Sequence, residues 1–131
     1  LDQSSKVIVK KEIQQIEYHS EWAIINTIVQ NLIENAIKYS RKEIEPFVDI
    51  KIFTEQDQLI IHVEDNGQGI PEKNVGLIFD MFYRANNKVQ GSGLGLYILK
   101  RAVERLQGTI DVKSTLHIGS VFKVRLPLLT N

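Results

Sequence analysis

The distribution of glycine is the feature that most limits how this chain can fold. Six of the eight glycines lie between residues 66 and 96, where the backbone therefore turns sharply or passes close to a ligand. The long regular elements are expected on either side of this segment. The six glycines are Gly67, Gly69, Gly76, Gly91, Gly93 and Gly95.

Hydrophobic periodicity predicts the elements that flank these glycines. Apolar residues recur at helical spacing from 20 to 39, with Ser20 as N-cap, and again from 95 to 106, with Gly108 just after the helix end. Alternating or β-branched runs predict five strands, the first at a sheet edge. This order predicts an α/β two-layer sandwich with helices on one face of a mixed, mostly antiparallel sheet. The predicted strands are residues 7–13, 47–53, 59–63, 109–114 and 120–126.

Composition narrows the class of protein. With 131 residues, 43% of them apolar, the chain is predicted to form a single domain over residues 1–131. Sixteen basic and sixteen acidic residues leave 16 − 16 = 0 formal charge, so no overall field favours nucleic acid or a membrane surface. The absence of cysteine and the spacing of the three histidines argue against a metal site made wholly of protein side chains. The first residues lack methionine and a signal-peptide pattern, so the chain is interpreted as a piece of a longer one.

Three polar side chains lie along one edge of the first predicted helix. Asn31, Asn35 and Lys38 fall within about 60° of one another, beside the apolar face. Amide oxygens with a lysine nearby suit a hydrated Mg²⁺ and a phosphate. The spacing alone leaves a solvated helix edge equally open.

A carboxylate followed by two glycines ends the predicted strand at 59–63. Residues 63–71 read VEDNGQGIP, so Asp65 lies at the mouth of a buried strand, just before Gly67 and Gly69. An aspartate in this position can accept a hydrogen bond from the exocyclic amine of a base. Because Asp-Asn-Gly is also a common turn tripeptide, a plain turn remains an alternative.

A second glycine-rich segment, GSGLGLY at 91–97, leads into the second predicted helix. The free amides of a helix N-terminus bind phosphate oxygens, although the segment matches neither GxxxxGK(S/T) nor GxGxxG. Before it, residues 75–83 are predicted to form a short helix or turn anchored by Phe79 and Phe82. The polar residues 84–90 are interpreted either as a segment that closes over a ligand or as a surface connection.

Five segments, taken together and in this order, resemble a known family. They are NLIENAIKYS at 31–40, DNGQGI at 65–70, IFDMFYRA at 78–85, GSGLGL at 91–96 and GS at 119–120. They are similar to the N, G1, F, G2 and final glycine boxes of the catalytic ATP-binding domain of bacterial two-component sensor histidine kinases. The resemblance runs from about residue 6 to 128. It implies the Bergerat ATP-binding fold, which gyrase, chaperone and mismatch-repair ATPases share.

The resemblance also implies a role for each matching residue. Asn35 is expected to ligate Mg²⁺ with support from Asn31, and Asp65 to accept a hydrogen bond from the adenine amine. Catalytic roles in phosphoryl transfer are expected for Asn31, Lys38 and Arg84, with Lys38 and Arg84 also contacting the phosphates of ATP. The other residues expected to contact ATP are Tyr39 beside the nucleoside, Gly67 and Gly69 where the base approaches the backbone, Gly91, Gly93, Leu94, Gly95 and Leu96 around the phosphates, and Ile70 and Ser120.

Asn31 separates two subclasses of this fold. Relatives that hydrolyse ATP, and anti-sigma-type serine kinases, place a glutamate four residues before the Mg²⁺ asparagine, and Asn31 cannot act as that base. Glu34 lies on the polar helix face and is not expected to replace it. A histidine acceptor is already a nucleophile and needs less activation. The resemblance therefore implies transfer of the γ-phosphate to a histidine.

The partners and setting follow from the same resemblance. No histidine here is followed by Glu or Asp, so the phosphoacceptor histidine is expected on a separate dimerisation domain, with a response regulator downstream. The isolated domain is expected to be a cytoplasmic monomer from a membrane-anchored parent, with no nucleic-acid contact and no membrane insertion of its own. Two alternatives stay open: a serine kinase or ATPase of the same fold, and a nucleotide-binding regulatory module without turnover.

Overall fold

The computed structural model describes residues 8–13, 21–83 and 93–128. No helix within these ranges is long and apolar enough to span a bilayer. The elements in chain order are β1 (Ile8–Ile13), α1 (Trp22–Lys38), β2 (Phe47–Glu55), β3 (Gln58–Asp65), a 3₁₀ helix (Glu72–Leu77), α2 (Gly95–Arg105), β4 (Thr109–Thr115) and β5 (Gly119–Pro127).

One five-stranded sheet has the order β1-β2-β3-β5-β4. The edge strand β1 runs parallel to β2, while the other neighbouring pairs are antiparallel. In the register between β3 and β5, Val63 lies opposite Phe122 and Asp65 lies opposite Ser120. The register therefore brings the start of the predicted G1 segment and the start of β5 to the same end of the sheet.

Both helices contribute to a core on one face of the sheet. α1 buries residues three and four positions apart, the spacing of an amphipathic helix. Alternate residues of the central strands face the same core. The cluster includes Ile25, Ile28, Leu32 and Ala36 of α1, Leu59, Ile61 and Val63 of β3, Leu99 and Val103 of α2, and Phe122, Val124 and Leu126 of β5. The predicted fold class is confirmed.

The helix ends differ from the predicted ones. The N-cap of α1 is Glu21, whose carbonyl accepts the hydrogen bond of the Ile25 amide at 3.0 Å, and not Ser20, which lies outside the described residues. After α2, the residue with positive φ is Gln107 (φ 61) and not Gly108. The Gly108 amide instead donates to the Val103 carbonyl at 2.9 Å and closes a Schellman motif, so α2 ends one residue earlier than predicted.

Gly108 is required by packing. A Cβ atom there would overlap the Arg125 carbonyl oxygen and lie 2.6 Å from a Leu126 methyl group. The chain leaving α2 therefore passes directly against β5, and a glycine is the residue that leaves room for this approach.

We expect Gly108→Ala to lower the free energy of unfolding by about 1–3 kcal/mol, because the added methyl group overpacks the contact with β5. Urea denaturation of the isolated chain measures this change. The matched control is Gly76→Ala, since a Cβ at Gly76 meets nothing within 4 Å. Equal stability of the two variants would contradict the packing argument.

Candidate functional site

A cleft opens where the C-terminal end of α1, the end of β3 and the start of α2 meet. Its empty volume is ≈ 450 Å³, which includes the part open to solvent. Seven predicted site residues line it: Asn35, Tyr39, Asp65, Gly69, Ile70, Leu96 and Ser120. Pro71, Ile78 and Tyr83 complete the lining.

Asp65 is the buried polar group of this cleft. It ends β3 on the core-facing side of the sheet, with 9% of its surface exposed. Desolvation by burial raises the pKa of its carboxyl from 3.8 to about 6, and the nearby Glu64 charge adds to the rise. Hydrogen bonds from the backbone amides of Gly67 (2.8 Å) and Ser120 oppose it and lower the pKa. Around pH 7 the group is thus mainly an ionised hydrogen-bond acceptor in a poorly hydrated place.

The polar edge of α1 divides into residues with different surroundings. Asn35 lines the cleft. Asn31 lies outside the cleft lining, where its Nδ2 donates to the Thr27 carbonyl at 2.8 Å. Its Oδ1 faces the first residue of α2, 3.4 Å from where a Cβ of Gly95 would lie. Lys38 is exposed in the last turn of α1.

A metal ion would find few protein ligands here. Within residues 8–13, 21–83 and 93–128, no group of three His, Cys, Asp or Glu side chains is placed to hold one. Asn35 lines the cleft and carries an amide oxygen. Mg²⁺ commonly takes one or two protein oxygens and completes its octahedron with water and phosphate oxygens. The donor set therefore fits a Mg²⁺ ion that arrives with a phosphate ligand.

The loop after β3 is tied to the chain that follows α1. The Gln68 amide donates to the Tyr39 carbonyl at 2.9 Å. A Cβ atom at Gly67 would lie 2.6 Å from the same carbonyl oxygen, so the close approach requires glycine there. Gly69 has φ 71, and its Cβ would overlap the Thr115 carbonyl. The fold itself thus needs both glycines, and their predicted role in admitting the base stays a prediction.

Asn66 holds the loop after β3 in place and was not among the predicted site residues. Its Oδ1 accepts from the Phe47 amide at 2.9 Å and its Nδ2 donates to the Glu45 carbonyl at 3.1 Å. Arg41 Nε donates to the Asn66 carbonyl at 3.1 Å. The turn interpretation of Asp-Asn-Gly and the site interpretation are therefore compatible, because Asn66 holds the turn while Asp65 faces the cleft.

Behind the cleft, next to the lining residue Ser120, lies a second residue that was not among the predicted site residues. Ser114 Oγ of β4 accepts a hydrogen bond from the Ile70 amide at 2.7 Å. It also lies 2.7 Å from Ser120 Oγ and 3.1 Å from the Gly119 carbonyl oxygen. Ser114 could be recognised only from its register opposite Ser120. The residue pattern of one strand does not show how that strand pairs with its neighbour.

The segment at 75–83 is anchored differently from the prediction. The 3₁₀ helix is followed by turns in which Ile78 is the buried residue, at 2% exposure. Phe82 is 64% exposed, so it is not an anchor. Phe79 is half-buried and packs against the core, as predicted, and Lys100 Nζ lies 5.3 Å from the centre of its ring. The apolar contacts are made by Ile78 and Phe79, because the turn points these side chains, and not Phe82, toward the core.

The start of α2 lies at the rim of the cleft. Gly93, Leu94 and Gly95 are described, and Leu96 is in the lining. The Gly93 carbonyl accepts a hydrogen bond from the Phe82 amide at 2.9 Å. This bond joins the described residues before residue 84 to those after residue 92. Arg84, Gly91 and the predicted closing segment 84–90 lie outside the described residues.

Comparison with known proteins identifies the family. The model of the family described as Histidine kinase-, DNA gyrase B-, and HSP90-like ATPase matches residues 23–130. The chain belongs to this family. Two curated relatives of this ATPase-family domain are sensor proteins, which confirms the resemblance to sensor kinases found in the sequence.

Sensor protein RprX of Bacteroides fragilis (strain YCH46) is 37% identical over 111 residues, covering 82% of the domain and 21% of RprX. Sensor protein SrrB of Staphylococcus aureus (strain NCTC 8325 / PS 47) is 35% identical over 109 residues, covering 79% of the domain and 18% of SrrB. The domain thus spans about a fifth of the length of these relatives.

Solved structures share the fold of this ATPase-family domain. The mycobacterial sensor histidine kinase MprB has a TM-score of 0.80 at 24% identity, over 94% of this chain and 83% of that one. Full-length ShkA in complex with AMPPNP has a TM-score of 0.84 at 22% identity, over 98% of this chain and 27% of that one. At these identities the likeness concerns the fold alone, and it confirms the predicted sandwich.

We expect Asp65→Asn to stabilise the nucleotide-free domain near pH 8. The folded pKa of about 6 exceeds the ordinary 3.8, so the carboxyl contributes stability that is complete below pH 3.8 and is lost as the pH rises through 6. A shift of this size corresponds to about 3 kcal/mol, and imperfect replacement by the amide leaves an expected gain of about 1–2 kcal/mol.

Thermal unfolding from pH 4 to 8 measures this difference, which should grow with pH. Asp80→Asn is the matched control, because Asp80 is exposed and should show no such trend. A constant difference between Asp65→Asn and the unmodified chain across the range would contradict the buried-carboxylate assignment.

Proposed function

We propose that this chain is the catalytic ATP-binding domain of a sensor histidine kinase, which transfers the γ-phosphate of ATP to a histidine on a separate dimerisation domain. The observation that carries the proposal is the buried Asp65 carboxyl in a cleft that Asn35 and the start of α2 also line. Membership of the ATPase family and the likeness to sensor proteins support it.

The proposal includes the setting of the domain. Residues 1–131 form one domain, monomeric in isolation, that works on the cytoplasmic side of a membrane-anchored parent kinase. A response regulator receives the phosphoryl group downstream. The balanced composition, with formal net charge +0, supports a partner other than nucleic acid.

The base-binding half of the cleft suits adenine. The Asp65 carboxylate accepts a hydrogen bond from the exocyclic amine, a donor that a carbonyl at the same ring position lacks. Ile70, Ile78 and Leu96 supply apolar walls, and Tyr39 adds an aromatic side chain. Such walls exclude water from the base and strengthen the hydrogen bond to the carboxylate.

The phosphate half is assigned to α1, α2 and the segment between the F and G2 boxes. Asn35 supplies an oxygen to Mg²⁺, which when bound neutralises charge on the phosphates. Lys38 is free to extend toward the phosphates because it is exposed at the end of α1. The first amides of α2, beside the lining residue Leu96, are assigned to the phosphates, because helix N-termini offer N–H groups to anions. By family resemblance, Arg84, Gly91, Gly93, Leu94 and Gly95 complete this half.

The proposed transfer step needs little help from a general base on this chain. A neutral imidazole nitrogen of the acceptor forms the new bond to the γ-phosphorus with its lone pair. The bond from that phosphorus to the bridging oxygen breaks, and ADP leaves with the electron pair. Asn31 cannot take a proton, and its Nδ2 is engaged by the Thr27 carbonyl. This arrangement favours histidine as acceptor over serine or water, which need a base.

We expect the domain to bind MgATP and not MgGTP in calorimetric titrations. Asp65→Asn should weaken ATP binding at least about tenfold, because its amide presents a donor where the amine needs an acceptor. Asp80→Asn should bind as the unmodified domain does. A folded domain that binds no ATP, or an Asp65→Asn variant with unchanged affinity, would overturn the base-site assignment.

We expect transfer of radiolabelled phosphate from ATP to a histidine-containing dimerisation domain added in trans. The product should be acid-labile and base-stable, as phosphohistidine is. Asn35→Ala should slow the transfer at least about tenfold, because the phosphates lose an electrostatic contact through Mg²⁺. The neighbouring variant Glu34→Gln should transfer at the normal rate, since Glu34 is exposed and outside the cleft.

The same assay separates the alternatives. Acid-stable phosphoserine would indicate a serine kinase, and release of phosphate to water without transfer would indicate an ATPase. Binding of MgATP with no phosphoprotein, even with the dimerisation domain of the parent chain, would indicate a regulatory module. A large loss of transfer in Glu34→Gln would show that the domain does use a base.

A further inference from the structure

A row of three polar residues crosses the sheet under the base-binding half of the cleft. Asp65 on β3 lies opposite Ser120 on β5, and Ser120 lies opposite Ser114 on β4. Asp65 and Ser120 are buried, at 9% and 7% exposure, and both line the cleft. Ser114 does not line the cleft, so any effect on a ligand passes through its neighbours.

The hydrogen bonds of Ser114 leave it one way to satisfy every partner. Its Oγ has one proton and two lone pairs. The Ile70 amide, at 2.7 Å, can only donate to it, and the Gly119 carbonyl, at 3.1 Å, can only accept from it. The remaining contact, 2.7 Å to Ser120 Oγ, needs a proton from one of the two hydroxyls. If Ser114 gives its proton to Gly119, all three contacts are hydrogen bonds only when Ser120 donates to Ser114.

The opposite arrangement satisfies fewer groups. If Ser114 donated to Ser120, its contact with the Gly119 carbonyl would have no proton. The Ser120 hydroxyl proton would then need another acceptor at 7% exposure. Because a buried polar group without a partner is unfavourable, the first arrangement is preferred. Ser120 then turns lone pairs, and no proton, toward the cleft.

We propose that Ser114 is a positioning residue for base selectivity: it takes the Ser120 proton, so that Ser120 and Asp65 present only acceptors to the base. This inference rests on the proposed ATP-binding function and assigns part of its selectivity to a residue outside the cleft. An exocyclic amine brings hydrogens to such a wall. A carbonyl at the same ring position brings lone pairs toward lone pairs and is disfavoured.

The test compares ATP with 6-O-methylinosine triphosphate, which keeps the unprotonated ring nitrogen of ATP and carries an acceptor oxygen in place of the amine. In Ser114→Ala, the Ser120 proton loses its acceptor and becomes free to donate to that oxygen. The ratio of the two dissociation constants, 6-O-methylinosine triphosphate over ATP, should therefore fall by roughly three- to tenfold, the range for one hydrogen bond. Ser114→Thr, which retains the hydroxyl, should keep the ratio of the unmodified domain.

Two further variants complete the design. Ser120→Ala removes the acceptor itself and should lower the ratio even if Ser114→Ala does not fold. Thr109→Ala removes a hydroxyl from the same strand, β4, but at an exposed position and should leave the ratio unchanged. Urea denaturation of every variant shows whether the fold is retained.

The outcomes separate this inference from the proposed function. Equal weakening of both nucleotides by Ser114→Ala, with an unchanged ratio, would mean that Ser114 has a structural role only. An unchanged ratio in Ser120→Ala would overturn the acceptor wall. If either unchanged ratio is found while the unmodified domain binds ATP and Asp65→Asn does not, only the selectivity role of Ser114 and Ser120 is refuted, and the proposed function stands. If the unmodified domain binds neither nucleotide, the proposed function fails and this inference fails with it.

Discussion

The burial of one carboxyl group at the end of a central strand is the constraint on which the cleft depends. Asp65 continues the core-facing row of β3, after Ile61 and Val63, into a place where desolvation raises its pKa to about 6. The group is tolerated there because amides of two separate segments, at Gly67 and Ser120, donate to it. The same two hydrogen bonds join the loop after β3 to β5, so the requirement to satisfy Asp65 also shapes the cleft.

The neighbouring loops are held by hydrogen bonds between backbone groups and by bonds from the short side chains of Asn66 and Ser114 to the backbone. The Tyr39 carbonyl accepts from the Gln68 amide, and the side-chain amide of Asn66 bonds both the start of β2 and the residues before it. On β4, the Ser114 hydroxyl holds the other end of the loop after β3, because it accepts a hydrogen bond from the Ile70 amide. Such short contacts fix donor and acceptor directions around the base site, and directional contacts of this kind are the basis of selectivity between similar ligands.

The sequence predicted features that depend on residues close together in the chain better than features that depend on distant residues. The apolar period of α1 and the alternation of the strands predicted the elements to within a few residues, because burial of one face imposes those periods. The end of α2 was misplaced, because Gly108 is needed for its contact with Arg125 and Gln107 adopts the positive φ. Phe82 was expected to anchor its turn and is exposed, since local hydrophobicity does not say which of several apolar residues will meet the core.

By itself the sequence determined which chemical groups are present and which local elements carry them: a polar edge on a helix, a carboxylate at a strand end and a glycine-rich helix start. Those properties depend on residues near one another in the chain. Only the tertiary structure decided that Ser114 meets Ile70, 44 positions away, and shares a row with Ser120 and Asp65. Strand register makes that choice, because a shift by one residue turns each side chain to the other face of the sheet, and register is selected by burial of the whole core.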